Sequence, residues 1–188
     1  MEVFALAIPV LTSSRLVLRP LEPDDAADIQ YLFPCWEIVR YLTKQIPWPY
    51  PAGAALDFIN HVALPAMERG TGWFWSIRRK EDERHLIGVI NLSLGGDSNR
   101  GFWLAPKWQH QGVMSEASHS VTEFWFNVLG QEVLRVTKAK DNQASRRISE
   151  RNGMRVVATK ETDYIGGRMP SEIWEMTRSE WNAKTKAG

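Results

Sequence analysis

The chain has 188 residues, of which 44% are hydrophobic and 24% are charged, and its formal net charge is +1 at pH 7. This composition is that of an ordinary globular protein and excludes disorder along the whole chain. A net charge so close to zero creates no strong field that would recruit nucleic acid or a membrane surface, so we expect neither as a partner.

The histidines, the cysteine and the apolar runs exclude further classes. The four histidines lack the spacing of a metal site, so we expect no metal, and the single Cys35 cannot form an intramolecular disulfide. We expect Cys35 to be a buried or half-buried apolar residue. Residues 1–10 are apolar but short, and are interpreted as an irregular lead-in rather than a signal peptide. No apolar run reaches the length of a membrane-spanning helix. These features favour one domain over residues 1–188, in a cytoplasmic protein that acts as a monomer or homodimer.

Secondary structure in the first half of the chain follows from periodicity and proline. Alternating polar and apolar residues predict strands, and proline followed by acidic residues predicts a helix start. The predicted elements are a strand over 15–21, helices over 22–33, 36–42 and 54–69, and an ordered, proline-rich loop over 43–52. Pro65 should kink the last of these helices or end it early, because proline lacks the N–H donor of a helical turn.

The second half of the chain alternates strands with two longer helices. The predicted elements are strands over 72–78 and 85–94 joined by a charged turn over 79–84, a strand over 100–104, a loop over 106–111, a helix over 112–129, a strand over 133–139, a helix over 143–152, strands over 154–159 and 172–177, and a helix over 179–184. Gly130 and Gly153 end the two longer helices. We expect most of the nine tryptophans to form a large aromatic core, with a minority lining a cleft.

The strand, loop and helix around Gly112 predict a binding site for an anion. The first N–H groups of the helix have no partner within it, and the positive end of its dipole lies at the loop. Gly112 lets the backbone approach a phosphate without a Cβ in the way. The chain contains neither G-x-G-x-x-G nor G-x-x-x-x-G-K-[ST]. A structural turn fits a lone loop glycine as well, so this pattern by itself indicates an anion site at most.

The wider segment Phe102–Ala117 resembles the acetyl-CoA loop of the GNAT family of N-acetyltransferases. It is most similar to the branch of the ribosomal-protein N-terminal acetyltransferases RimJ and RimL. The family pattern is Gln or Arg, two residues, Gly, one residue, and then Gly or Ala. Gln109, Gly112 and Met114 occupy its first, fourth and sixth positions, and Met114 departs from the small residue that is usual there.

The resemblance covers most of the chain, in the correct order. The further matching segments are 12–21, 48–51, 141–145, 150–154 and 177–181. The resemblance implies an α+β chain with the GNAT fold, in which a mixed, mostly antiparallel central sheet of six to seven strands is flanked by helices and splayed at the cofactor strand. It also implies acetyl-CoA as co-substrate and transfer of its acetyl group to a primary amine, on a protein N-terminus or a small molecule, by direct attack through a tetrahedral intermediate.

The resemblance implies a role for each residue of the loop and of the next helix start. The backbone N–H groups of residues 111–115 would bind the CoA pyrophosphate, and Asn142 would bind the cofactor arm. The residues so implied in acetyl-CoA binding are Trp103, Leu104, Gln109, His110, Gln111, Gly112, Val113, Met114, Ser115, Asn142 and Ser145. Core packing for Trp103, a solvated loop position for Gln109, a helix cap for Asn142 and an ordinary first-turn position for Ser145 remain alternatives. Arg146, Arg147 and Arg151 would meet the adenine-side phosphate or form a solvated helix face.

The proton-transfer groups are less well defined by the resemblance. Many family members place a tyrosine, the proton donor to the thiol, where this chain has Ser149. Ser145, near the thioester sulfur, Ser149 or water could replace it. Glu116 is the candidate general base near the loop, although a glutamate in a first helical turn also has a dipole explanation. Glu172 and His110 are weaker candidates for the base.

The acceptor would bind where the early helices and the proline-rich loop face the acetyl group. Trp36, Trp48 and Tyr50 are the predicted acceptor-binding residues, and packing of the loop onto the domain is their alternative. A peptide N-terminus, an aminoglycoside, a polyamine or another small amine would fit. Two other functions stay open: a non-catalytic acyl-CoA-binding sensor, which the missing tyrosine favours, and an interaction domain without cofactor, which the intact loop disfavours.

Overall fold

Two antiparallel sheets form the centre of the molecule in a computed structural model that describes residues 8–187. Most of the predicted lead-in, residues 1–7, lies outside the described residues. One sheet has the order β1-β2-β3-β4-β5 and the other the order β6-β8-β7. The strands are β1 Leu11–Thr12, β2 Leu16–Pro20, β3 Gly72–Arg79, β4 Asp82–Ser93, β5 Arg100–Leu104, β6 Val133–Ala139, β7 Arg155–Tyr164 and β8 Gly167–Thr177.

The helices cover both faces of the five-stranded sheet. They are α1 Ala26–Leu32, α2 Trp36–Val39, α3 Ala54–Phe58, α4 Leu64–Glu68, α5 Val113–Glu123, α6 Gln143–Asn152 and α7 Arg178–Ala187. A wide π turn over Ile59–Ala63 joins α3 to α4, and another over Phe124–Val128 extends α5. Within the described residues, no helix is both long and apolar enough to cross a membrane.

The central strand β3 is buried on both faces because a hydrophobic core lies on each side of it. Trp73 and Trp75 pack toward α5 with Val121, whereas Phe74 packs toward the early helices with Ile59. Five of the nine tryptophans are buried, which agrees with the predicted aromatic core: Trp73, Trp75, Trp125, Trp174 and Trp181. The two cores fix the sheet between α5 on one side and α1 to α4 on the other.

The two sheets meet at the start of β5 and β6 and separate beyond that point. The N–H of Asn99 donates to the carbonyl of Arg135 at 2.7 Å, and its side-chain oxygen accepts from the N–H of Arg135 at 2.9 Å. No ladder continues between β5 and β6 in the described sheets, since each is the edge strand of its own sheet. The predicted α+β fold with a splayed cofactor strand is therefore confirmed, with eight strands in two sheets whose paired strands are all antiparallel.

Several element boundaries differ from the predictions for physical reasons. The last two strands were predicted over 154–159 and 172–177, but β7 and β8 continue as a long hairpin, because Lys160–Asp163 and Arg168–Pro170 extend beyond the core and lack an apolar alternation. Pro65 does not stop its helix. The π turn places it in the first turn of α4, where a missing N–H leaves no hydrogen bond unmade.

Candidate active site

The loop before α5 leaves backbone N–H groups without a partner in the helix. Gly112 is the N-cap of α5 and adopts a left-handed conformation with φ 77°, which favours glycine. The first helical bond runs from the N–H of Glu116 to the carbonyl of Gly112, so the N–H groups of Val113, Met114 and Ser115 have no partner within the helix. Together with the helix dipole, these donors make the loop suitable for a phosphate group.

Two glutamine side chains of the loop hold it in place through hydrogen bonds to backbone carbonyls. Gln109 donates from Nε2 to the carbonyl of Leu104 at 2.9 Å, which ties the loop to the end of β5. Gln111 donates to the carbonyl of Lys107 at 2.8 Å. Met114, the residue that departs from the family pattern, is buried in the core that α5 covers.

Glu116 connects α5 to the first strands. Its carboxylate accepts from the hydroxyl of Ser13, from the N–H of Arg15 and from Nε of Arg15, each at 2.7 Å. Burial opposes ionisation of this group, but these hydrogen bonds and the charge of Arg15 outweigh it and lower the pKa of Glu116. A carboxylate with occupied oxygens and a lowered pKa is a poor proton acceptor, so the geometry favours a structural role for Glu116 over the predicted general base.

A cavity of about 640 Å³ opens where β5 and β6 separate. Arg100, Gly101 and Phe102 line it from β5, and Val136–Ala139 lines it from β6. Facing edge strands keep backbone donors and acceptors available between them, which suits a ligand that carries amide groups. The cavity therefore offers an extended arm a path between the two sheets.

The start of α6 closes one wall of this cavity. Asn142 caps the helix, with its side-chain oxygen accepting from the N–H of Ser145 at 3.1 Å. Both residues line the cavity. The Asn142 cap and a contact with a ligand are compatible, because a side-chain amide has further hydrogen-bonding capacity.

A buried polar cluster lies behind Ser145. Lys138, on β6, donates from Nζ to the carbonyl of Ser145 at 2.9 Å and to the hydroxyl of Ser149. Burial and then the charge of Arg100 lower the pKa of Lys138 well below its usual value. Glu172 accepts from Nε of Arg146 at 2.9 Å and from the indole of Trp174 at 3.1 Å. Its carboxylate is thus already paired, which counts against its predicted alternative role as the base.

The mouth of the cavity is formed by the segment after α2 and by the β7–β8 hairpin. The N–H of Ile165 donates to the carbonyl of Leu42 at 2.9 Å, and the N–H of Gly166 donates to the carbonyl of Arg40 at 3.0 Å. These bonds join the two segments across the end of the cavity. The side chains from them that line the cavity are Tyr41, Leu42, Thr43, Ile46, Lys160, Glu161, Thr162, Asp163 and Tyr164.

Three carboxylates reach the cavity lining. Asp97 lies 3.4 Å from Nζ of Lys160, and Glu161 lies 3.9 Å from Nε of Arg168. Asp163 forms no ion pair with any of the residues that the structure describes. It is therefore the carboxylate of the lining with the most freedom to interact with a ligand.

The structure brings together part of the predicted set and leaves part of it elsewhere. The loop residues Gln109, His110, Gln111, Gly112, Val113, Met114 and Ser115 form one feature, and Asn142 and Ser145 line the cavity. Ser149 is fully buried and is not among the residues that line the cavity, so the geometry gives it no direct access to a ligand. Trp103 and Leu104 are not among the residues that line the cavity: the Leu104 side chain is in the core, and the Trp103 ring packs on Phe33.

The predicted acceptor residues lie apart from the cavity lining. Trp36 and Trp48 are 49% and 39% exposed and pack on each other with ring centroids 6.2 Å apart. Tyr50 packs edge-to-face on Phe33 at 5.0 Å, in the core on the helical side. The geometry therefore favours loop packing for this trio, and Cys35 is half-buried beside it, as expected.

Sequence reasoning missed Lys138, Arg100 and the residues of the mouth. A signal for Lys138 was present, because alternation in β6 puts Leu134, Val136 and Lys138 on one face and the first two are apolar. A lysine on a buried face is rare unless it is paired or functional. Asp163 and Tyr41 carried no comparable pattern, since they lie where the chain leaves the core.

Other features of the molecule are less suited to bind a substrate. A smaller cavity of about 350 Å³ is lined by charged residues around the buried ion pair of Asp25 and Arg78, away from β5, β6 and α5. Among residues 8–187 no group of three or more His, Cys, Asp or Glu side chains is arranged to hold a metal ion.

Comparison with known proteins places this geometry in a family. The family model described as acetyltransferase (GNAT) domain matches residues 15–155. The uncharacterized N-acetyltransferase YoaA of Bacillus subtilis (strain 168) is 28% identical over 144 residues, which cover 74% of this chain and 79% of YoaA.

Solved structures share the fold at low sequence identity. RimL, a ribosomal L7/L12 alpha-N-protein acetyltransferase in complex with coenzyme A, superposes with a TM-score of 0.76 at 17% identity, over 92% of this chain and 98% of RimL. A ribosomal-protein-S5-alanine acetyltransferase from Vibrio fischeri gives 0.78 at 13% identity, over 92% and 98% of the two chains. The predicted likeness to the RimJ and RimL branch is thus found in the fold. Since the family model spans well over half of the sequence, this chain belongs to the GNAT family of acetyltransferases.

Proposed function

We propose that this protein transfers the acetyl group of acetyl-CoA to a primary amine. The observation that carries the proposal is that β5 connects two features. N–H groups without a helical partner at the start of α5 suit a pyrophosphate, and Gln109 bonds their loop to the end of β5. Residues of the same strand line the cavity of about 640 Å³ between β5 and β6. This arrangement suits one long ligand with an anionic end and an amide-bearing arm.

The residues of the chain fit acetyl-CoA as co-substrate. Gly112 leaves space where a side chain would stand, and the N–H groups of residues 113–115 would hold the pyrophosphate. The free edges of β5 and β6 would pair with the pantetheine amides. The thioester would then lie beside Asn142 and Ser145, at the inner wall of the cavity.

Asp163 would accept the proton of the attacking amine, directly or through water. It lines the cavity mouth from the β7–β8 hairpin and has no ion-pair partner among residues 8–187. A carboxylate at this point also attracts the acceptor, which enters as an ammonium ion. Only the neutral amine can attack the thioester. A carboxylate that binds the ammonium ion and then removes its proton therefore serves both binding and reaction.

The acceptor would be a protein N-terminus or a small primary amine. Backbone bonds join residues 40–44 to the β7–β8 hairpin, and side chains of both segments line the cavity that the amine would enter. RimL and the Vibrio fischeri protein, which share the fold, are ribosomal-protein acetyltransferases, and this supports testing peptides with a free N-terminus first.

The test is acetyl transfer by the purified protein. Acetyl-CoA is supplied with a peptide that has a free N-terminus, with the same peptide blocked at its N-terminus but carrying a lysine, and with a panel of small amines. Release of free thiol and a mass gain of one acetyl group on the acceptor are measured. Thiol release that depends on an amine supports the proposal. Binding of acetyl-CoA without transfer to any amine would favour an acyl-CoA sensor, and no stabilisation by acetyl-CoA would reject both functions.

A further inference from the structure

We propose that Lys138 is a catalytic residue whose ammonium group donates a proton to the departing CoA sulfur. The inference rests on the proposed function and deepens it. It assigns the proton donor that the family tyrosine would supply, at a position where this chain has Ser149.

The geometry of Lys138 points to this role. Lys138 is 6% exposed, lines the cavity from β6, and uses two of its three donors on the carbonyl of Ser145 and the hydroxyl of Ser149. The third donor has no partner among the side chains and carbonyls that the structure describes. The Nζ atom also lies 5.8 Å from the centroid of the Trp174 ring. Two hydrogen bonds fix the ammonium group, and its third N–H has no hydrogen-bond acceptor in a residue that lines the cavity, so it is available to a ligand there.

The other hydroxyl groups near the cavity are less suitable donors. Ser149 is fully buried and accepts its hydrogen bond from Lys138, so it contacts the ligand only through that lysine. The hydroxyl of Tyr41 donates to the carbonyl of Asp141 at 3.3 Å, and that of Tyr164 is bonded to Ser171 at 2.7 Å. Ser145 also lines the cavity, but an alkyl hydroxyl is a far weaker acid than an ammonium group. Lys160, the other lysine of the lining, lies 3.4 Å from Asp97. Lys138 is therefore the lining residue that combines an ammonium group with an N–H that has no acceptor among the described residues.

The charges around Lys138 make it a better acid than an exposed lysine. Burial is the main reason that its pKa is lowered, followed by repulsion from Arg100 on β5, with a further contribution from Arg146 on α6. Glu172 on β8 and Glu150 on α6 act in the opposite direction. Proton transfer is most efficient when the donor and acceptor have similar pKa values, and an alkyl thiol titrates near about 8.5.

The step balances in atoms and charge. The amine nitrogen forms a bond to the thioester carbon, and the carbon–sulfur bond breaks with its electron pair on sulfur. The proton of Lys138 goes to that sulfur, which gives neutral lysine and free CoA thiol. The nitrogen loses its own proton at the cavity mouth, and solvent reprotonates Lys138 before the next turnover.

Lys138→Met tests the role with a side chain of similar length that has no proton to give. We expect kcat to fall by about 100-fold or more, while the Kd for acetyl-CoA changes by less than about 3-fold. The wild-type kcat should decrease at high pH as Lys138 loses its proton. This decrease, the alkaline limb of the plot of kcat against pH, should be absent from the residual activity of the variant. An unchanged kcat and an unchanged alkaline limb would overturn the proposal.

A chemically rebuilt lysine keeps the test decisive if Lys138→Met folds poorly. Lys138→Cys is made in a Cys35→Ser background, so that the new thiol is the only one, and is then aminoethylated. The product side chain is a more acidic analogue of lysine. We expect it to restore kcat and to move the alkaline limb to lower pH, a shift that a purely structural role would not cause. Restored activity with an unmoved limb would overturn the proposal.

Tyr41→Phe is the matched control, because it removes another hydroxyl from the same cavity without removing Lys138. The alkaline limb should persist at its wild-type position in this variant, and its disappearance would assign the proton to Tyr41 instead. Wild-type protein that binds acetyl-CoA but acetylates no amine would reject the proposed function and this inference with it. If the wild type turns over and Lys138→Met has the same kcat and the same alkaline limb, the role of Lys138 would be rejected while the proposed function would stand.

Discussion

Replacing Gly112 by alanine should separate cofactor binding from stability. Gly112 has φ 77°, and an added Cβ would lie 3.4 Å from Nη2 of Arg15, the residue that also bonds the loop carbonyl of Gln111 at 3.0 Å. A left-handed conformation costs a residue with a Cβ about 1–2 kcal/mol. We therefore expect Gly112→Ala to be destabilised by about that amount and to shift the loop at this position.

The effect on affinity follows from the donors of the first turn. A hydrogen bond to a charged group contributes about 1.5–3 kcal/mol. Displacing one of the N–H groups of residues 113–115 from a pyrophosphate oxygen would thus raise the Kd for acetyl-CoA by about 10- to 100-fold. Titration calorimetry with acetyl-CoA measures this Kd, and urea unfolding measures the stability of the same samples.

Gly130→Ala is a closely matched control at the other end of the same helical segment. Gly130 has φ 68°, and its added Cβ would lie 3.5 Å from Nη2 of Arg178. Both variants should lose similar stability, but Gly130→Ala should keep the wild-type Kd. Equal affinities in the two variants would refute the assignment of the α5 loop to the pyrophosphate, whatever their stability.

Three further changes test other parts of the site and fold. Asp163→Asn should reduce kcat/KM by about 100-fold if Asp163 removes the amine proton. The control is Glu161→Gln, on the same strand as Asp163 but next to Arg168 of β8, and it should not reduce kcat/KM; similar effects in both variants would refute the role of Asp163. Glu116→Gln should destabilise the protein at pH 7 without shifting the pH at which kcat/KM decreases on the acid side. A shift of that pH would support Glu116 as the general base. Because the pKa of Glu116 is lowered from 4.5 on folding, its contribution is present above pH 4.5 and lost as pH falls through the folded value, so wild type and Glu116→Gln should converge in urea unfolding at acid pH. Thr177→Ala should lower the free energy of unfolding by about 1 kcal/mol, because Thr177 caps α7. The N–H of Thr177 donates to the Glu180 carboxylate at 2.7 Å, and the N–H of Glu180 donates to the Thr177 hydroxyl at 3.2 Å. Thr185→Ala, at an exposed position of the same helix, is the control, and equal losses of stability in the two variants would contradict a capping effect.

Two elements that contribute residues to the cavity could be predicted closely from the sequence. The strand over 133–139 and the helix over 143–152 have the predicted bounds, because apolar alternation defines the first and an asparagine cap and Gly153 bound the second. The loop before α5 was located by a single glycine and by the resemblance of its neighbours. These signals are local, so they survive without knowledge of the tertiary structure.

The side of the cavity that we propose for the acceptor could not be predicted in the same way. Its lining comes from the segment after α2 and from the β7–β8 hairpin, which are joined by backbone bonds between residues far apart in sequence. Backbone pairing of this kind leaves no residue-type pattern. Trp36 and Trp48 attracted the prediction because exposed and pocket-lining aromatics look alike in a sequence, and only the packing of their rings on each other distinguishes them.

The buried cations explain why the inner wall of the cavity is suited to negative charge. The guanidinium of Arg100 bonds the hydroxyl of Thr122 at 2.8 Å, and its Nε has no hydrogen-bond partner in the described part of the chain. Burial lowers the pKa of Arg100 to about 10, so it stays charged at neutral pH, next to Lys138. A buried cation without a carboxylate partner destabilises the folded protein. The same positive potential favours charge that develops on an oxyanion or a thiolate during acyl transfer, since these charges do not exist in the ground state. Arg100→Met should therefore leave the protein as stable or more stable while slowing transfer, and a loss of stability together with unchanged kcat would show that the charge serves the fold instead.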